Sequence, residues 1–135
     1  MRTDSAQFLR RALLADGVVS GLSGVMLVAL SGPIAALLGV RSPGTVAVMG
    51  VALLVYAAAL LYNARRELPR RGEATIAVAL NVAWVVASLA VVAAGWLSAA
   101  GNWAVGLVAD VVLIFAILQV VGLRRMASEP ASRPA

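Results

Sequence analysis

Six acidic side chains are spread over the 135 residues, and two of them, Asp16 and Asp110, stand inside long apolar stretches. Asp110, with amide, hydroxyl or indole groups within reach, serves either as a proton or cation relay or as a hydrogen-bonded anchor between helices, whereas Asp16, one turn inside, reads as a structural ion pair that reaches headgroup water or an arginine of a neighbouring helix. The neutral polar groups that could complete such a site are Asn81, Trp84, Ser23 and Ser88, with Asn63 and Gln119 nearer the ends of their stretches. Other chemistries lack their residues. Histidine and cysteine are both absent, which removes the usual ligands of zinc, haem and iron-sulfur clusters. The sequence has no serine elbow, no phosphate-cradling glycine loop ahead of a lysine, and no pair of carboxylates matched in depth and face for acid and base roles. No catalytic residue, metal ligand or cofactor is therefore expected, and the function expected is not enzymatic.

The elements that must position these groups follow from composition. Hydrophobic residues make up 62% of the chain and charged residues 13%, too apolar for a soluble core to hide. Four apolar runs each reach the ~20 helical residues needed to cross a ~30 Å hydrocarbon layer. Start and stop signals place four transmembrane helices at about 5–30, 43–66, 73–96 and 102–125. Asp4 with Gln7 resembles a capping box, Ser42-Pro43 and Asn102 suit helix starts, and Trp96 and Trp103 flank the turn between the last two helices. Pro33, Ile34, Leu37 and Leu38 read as a short interfacial helix over 33–38, the alternative being a proline kink that continues the first helix. The fold expected is all-α, a single polytopic four-helix membrane bundle over residues 1–125. Residues 126–135 read as a disordered cytoplasmic tail.

All eleven basic residues are arginines, and only Arg41 falls on the far side of the alternating runs. The positive-inside rule then puts both termini in the cytoplasm. The net charge of +5 marks anionic lipid headgroups as partners, since the arginines flank apolar helices and form no basic groove suited to nucleic acid. Counting 1.5 Å per residue from the nearest cytoplasmic arginine puts Asp16 and Gln119 roughly 7.5 Å deep, Ser20 and Tyr56 about 13 Å, Asn81 about 15 Å and Asp110 roughly 21 Å. On this ruler Asp16, Asn63 and Gln119 are polar groups of the cytoplasmic rim. Asp110 is the deepest carboxylate, with Ser23, Asn81, Trp84 and Ser88 as its candidate partners. Gln119 lies nine residues from Asp110, so the two occupy opposite faces of one helix.

Gly17, Ser20, Gly21 and Gly24 give the first helix a small-residue face that permits close backbone approach, to another helix of the bundle or to a second copy of the chain. The segment Leu9-Arg10-Arg11-Ala12-Leu13-Leu14-Ala15-Asp16-Gly17 with Leu22-Ser23-Gly24, the landmarks Leu80-Asn81 and Trp84-Val85, and the ending Gly122-Leu123-Arg124-Arg125 resemble a group of short bacterial integral membrane proteins. The resemblance implies a bacterial inner-membrane setting and carries no activity. The functional expectation is a scaffold or accessory subunit acting through helix packing, with a homodimer or another membrane protein as partner. The alternative is a small transporter or proton-coupled permease that uses Asp110.

Overall fold

The computed structural model describes residues 2–128, with side chains from Asp4 onward. Five helices follow one another: α1 (Arg2–Ala29), α2 (Ser31–Leu38), α3 (Pro43–Ala64), α4 (Arg71–Ala93) and α5 (Ala99–Ser128). No strand occurs among the described residues. Four helices, all but α2, are long and apolar enough to cross a membrane. Their outward faces are apolar as well, with Val48, Val55, Ile76, Val86 and Leu89 each at least 61% exposed. A soluble bundle would turn such residues inward, so lipid is their solvent.

Local chemistry sets the boundaries. Pro33 has no N–H to give the carbonyl of Ala29, and the chain bends at Leu30 (φ −116°, ψ 29°). Helical bonds still span the bend, from the Leu30 N–H to the Met26 carbonyl and from the Ile34 N–H to that of Leu30. The short helix α2 is thus a kinked sequel to α1, closed by Gly39 in the left-handed region at φ 77°. Helix α3 opens with proline in its first turn after extended Ser42. Helix α5 starts earlier than Asn102, because Ser98 is its cap: the Ser98 Oγ accepts the Gly101 N–H at 2.9 Å, and its carbonyl accepts that of Asn102. The Ser98 N–H in turn donates to the Leu38 carbonyl at 2.9 Å, tying the end of α2 to the start of α5. At its other end α5 runs on to Ser128, since Met126 packs against the buried cluster of Leu9, Leu13 and Leu60. The expected tail therefore begins too early at 126, and its remainder, 129–135, lies outside the described residues.

Around the bundle the order is α3, α1, α5, α4. The α1–α3 contact is the most extensive, α5 packs on both α1 and α4, and α3 meets α4 only sparsely. Gly24 and Gly50 bring α1 and α3 together backbone to backbone: a Cβ on Gly50 would lie 2.8 Å from the Gly24 carbonyl oxygen. In lipid, where apolar burial adds little, this close approach is what holds two helices together. The thin α3–α4 seam is pinned at its loop end by buried Asn63, whose Oδ1 accepts the Arg70 N–H at 2.8 Å and whose Nδ2 donates to the Arg70 carbonyl at 3.2 Å.

Candidate functional site

Four helices converge on Asp16, which is 1% exposed. The Ser20 hydroxyl, one turn along α1, donates to its Oδ1 at 3.0 Å. Its Oδ2 accepts Nδ2 of Asn81 from α4 at 2.9 Å and Nε2 of Gln119 from α5 at 2.7 Å. The Tyr56 hydroxyl of α3 lies 3.2 Å from the same Oδ2 and 2.9 Å from Oδ1 of Asn81. A phenol has one proton to give, so Tyr56 donates to the carboxylate or to the amide oxygen, one at a time. Asn81 also donates to Oε1 of Gln119 at 3.3 Å. Asp16 has no ion-pair partner among the described residues. Neutral donors alone satisfy this carboxylate.

This centre sits near the middle of the span, not at the rim. Asn81 lies ten residues from the start of α4 and twelve from its end, roughly 15 and 18 Å, and Tyr56 lies about 12 Å from the end of α3. The arginine ruler misplaced Asp16 and Gln119 because an arginine's guanidinium, and not its Cα, marks the headgroup level. Arg10 demonstrates the reach: from six residues below Asp16 its Nε bonds the carbonyl of Ala64, the last residue of α3. Asn63, by contrast, is at the end of α3 and braces a loop.

Asp110 takes no part in this centre. Its side chain is exposed on the outside of α5 and forms no hydrogen bond with Ser23, Asn81, Trp84 or Ser88. Nine residues amount to two and a half turns, so with Gln119 fully buried Asp110 has to point outward. Of its expected partners, Asn81 belongs to Asp16, Ser23 and Trp84 line a cavity, and Ser88 is buried in α4. Gly17, Gly21 and Gly24 lie against Leu61, Ala57 and Leu54 of α3, and Ser20 serves the carboxylate instead of the packing.

Beside the network lies a cavity of about 470 Å³ walled by α1, α3, α4 and α5. Asp16, Ser20, Tyr56 and Asn81 form its polar end, and residues such as Leu53, Leu107, Val111 and Phe115 form its apolar body. Trp84 lines it as well, and its indole N–H is buried without a partner. A second hollow of about 340 Å³ follows the α3–α4 seam toward Asn63 and Glu73, and the two share Tyr56 and Leu80 as a common wall. No family model, curated protein or solved structure matches the chain. Function therefore rests on the geometry.

Tyr56 is the member of the centre that reading the sequence left out. Its signal was present, since Ala52, Tyr56, Ala59 and Asn63 share a ridge of α3 and Tyr56 was counted level with Ser20.

Proposed function

We propose that this chain is a non-enzymatic, multi-pass protein of the bacterial inner membrane, with both termini cytoplasmic, that binds an amphipathic small molecule in the cavity walled by its four long helices, in the manner of a carrier. The observation that carries the reading is a mid-span cavity whose body is apolar and whose polar end is a buried carboxylate. Concave, mostly apolar sites with a few convergent polar groups are where small molecules bind. An intramembrane carboxylate is costly, about 2.5–3.5 kcal/mol or more when charged at a helix centre, and its retention points to use. The sparse α3–α4 seam, hollow on both sides of Tyr56, supplies a route along which a ligand enters from the bilayer. Partner docking through the small-residue face of α1 is less well supported, because α3 already occupies that face.

The chain has three tryptophans, so changing Trp96 and Trp103 to phenylalanine leaves Trp84 as a sole reporter inside the cavity. Energy transfer from Trp84 to a neutral lipophilic fluorophore, diphenylhexatriene, should saturate at protein stoichiometry. Ala52→Phe, which adds a ring to the cavity wall, should weaken it, while Asp110→Asn should leave it unchanged. Transfer that never saturates, or that Ala52→Phe leaves at full strength, refutes the proposal.

A further inference from the structure

We infer that the ligand of this cavity is a lipophilic organic cation, an inference that rests on the carrier reading and names its substrate class. Among the described residues that line the cavity, Asp16 is the single ionisable carboxyl and none is an arginine. A buried anion held only by neutral dipoles is left with its charge uncompensated, a deficit that a proton or a bound cation removes. The carboxylate is asymmetric in a way that leaves room. Oδ2 is crowded by Tyr56, Asn81 and Gln119, while Oδ1 accepts from Ser20 alone. A carboxylate oxygen has two lone-pair directions, so one on Oδ1 takes no hydrogen bond, and Ser20, the donor to the other, itself lines the cavity.

The cation is organic because of what surrounds the charge. An inorganic ion stripped of water needs a shell of oxygen ligands, and here the nearest groups of Asn81 and Gln119 turn their N–H ends toward Asp16. The rest of the cavity is apolar, with the aromatic rings of Tyr56, Trp84 and Phe115 in its wall, which suits a hydrophobic cation with charge over ring faces. Asp16 is nearly enclosed, so the cation meets the hydroxyl oxygens of Ser20 and Tyr56 first, with the negative charge directly behind them.

Tetraphenylphosphonium and tetraphenylborate share size and shape and differ in the sign of charge, so the pair isolates the electrostatic requirement. With the full chain in nanodiscs of neutral lipid and Trp84 as sole tryptophan, the phosphonium should change the fluorescence saturably. The borate should bind at least tenfold more weakly. Asp16→Asn should lower phosphonium affinity at least tenfold, and Asp16→Glu should restore part of it. Equal binding of the two ions, or an unchanged phosphonium affinity in Asp16→Asn, overturns the cation assignment and leaves the cavity reading standing. Loss of diphenylhexatriene binding in the wild type sinks the cavity reading itself. Should Asp16→Asn fail to fold, the comparison of the two ions on the wild type decides the matter alone.

Discussion

Replacing Gly50 with alanine tests whether a backbone contact between α1 and α3 holds the bundle and its site together. The new Cβ would lie 2.8 Å from the Gly24 carbonyl oxygen, 2.9 Å from Leu27 Cβ and 2.9 Å from Val28 Cγ2. Non-bonded carbons settle at about 3.5–4.0 Å, so α1 and α3 must part by roughly 0.6 Å at this crossing. Overpacking of this kind costs about 1–3 kcal/mol. Alanine also improves helix formation over glycine by about 0.5–1 kcal/mol, which would mask part of the loss. Gly106 supplies the control, because a Cβ there meets nothing within 4 Å. Subtracting the Gly106→Ala change removes the propensity gain, so Gly50→Ala should be the less stable of the two by about 1–3 kcal/mol. The parting also reaches the site. Tyr56 follows six residues along α3, and its 3.2 Å contact with Asp16 has little slack before it ceases to be a hydrogen bond. Reversible unfolding in mixed micelles, followed by circular dichroism as dodecyl sulfate is titrated in, measures both variants on one scale. Equal stability of the two would refute the claim that Gly24 and Gly50 set the helix separation.

Gln119→Leu keeps the volume of a fully buried side chain but removes the 2.7 Å donor to Asp16, so it should destabilise the bundle by about 1.5–3 kcal/mol, the scale for hydrogen bonds to charged groups. The same unfolding titration reads it, and a change under 0.5 kcal/mol would show that Asp16 does not depend on that amide. Orientation is open to thiol labelling because the chain has no cysteine of its own. In intact cells a membrane-impermeant maleimide should modify Gly95→Cys, in the turn between α4 and α5, and leave Glu67→Cys, in the α3–α4 loop, untouched until the membrane is permeabilised. The reverse pattern would invert the topology.

The helices were legible because their signals are local. Pro43 at a first turn and the long apolar runs act within a few residues, and the structure follows them closely. Boundaries shifted where tertiary contacts decided. Ser98 begins α5 because the turn carries it to the Leu38 carbonyl, and Met126 stays helical because it has a core to pack on. Neither contact is written into a short stretch of sequence. Helix order was equally beyond reach, since small-residue faces say that a helix packs tightly without saying against which neighbour. The site lay between these cases. All of its side chains could be seen as unusual, yet Asp16 bonds to residues 40, 65 and 103 positions away, and such pairings depend on the unknown order.

Depth misassigned the carboxylate, and facing corrects it. Counting from arginine Cα atoms made Asp110 the deeper group, but that ruler carries an error as large as an arginine side chain, and Arg10 spends that length reaching the end of α3. Facing is the tighter constraint, because a residue 900° around a helix from another cannot share its side. Gln119 is fully buried and bonded to α1 and α4, which turns Asp110 away from the bundle and leaves Asp16 as the carboxylate that the other helices can reach. A membrane helix with two polar residues a half-integral number of turns apart holds at most one of them in a shared core. The one with polar partners on other helices identifies the inside. Asp16 of α1 and Asn81 of α4 supply those partners to Gln119, and this sets the functional question among the middle turns of the long helices.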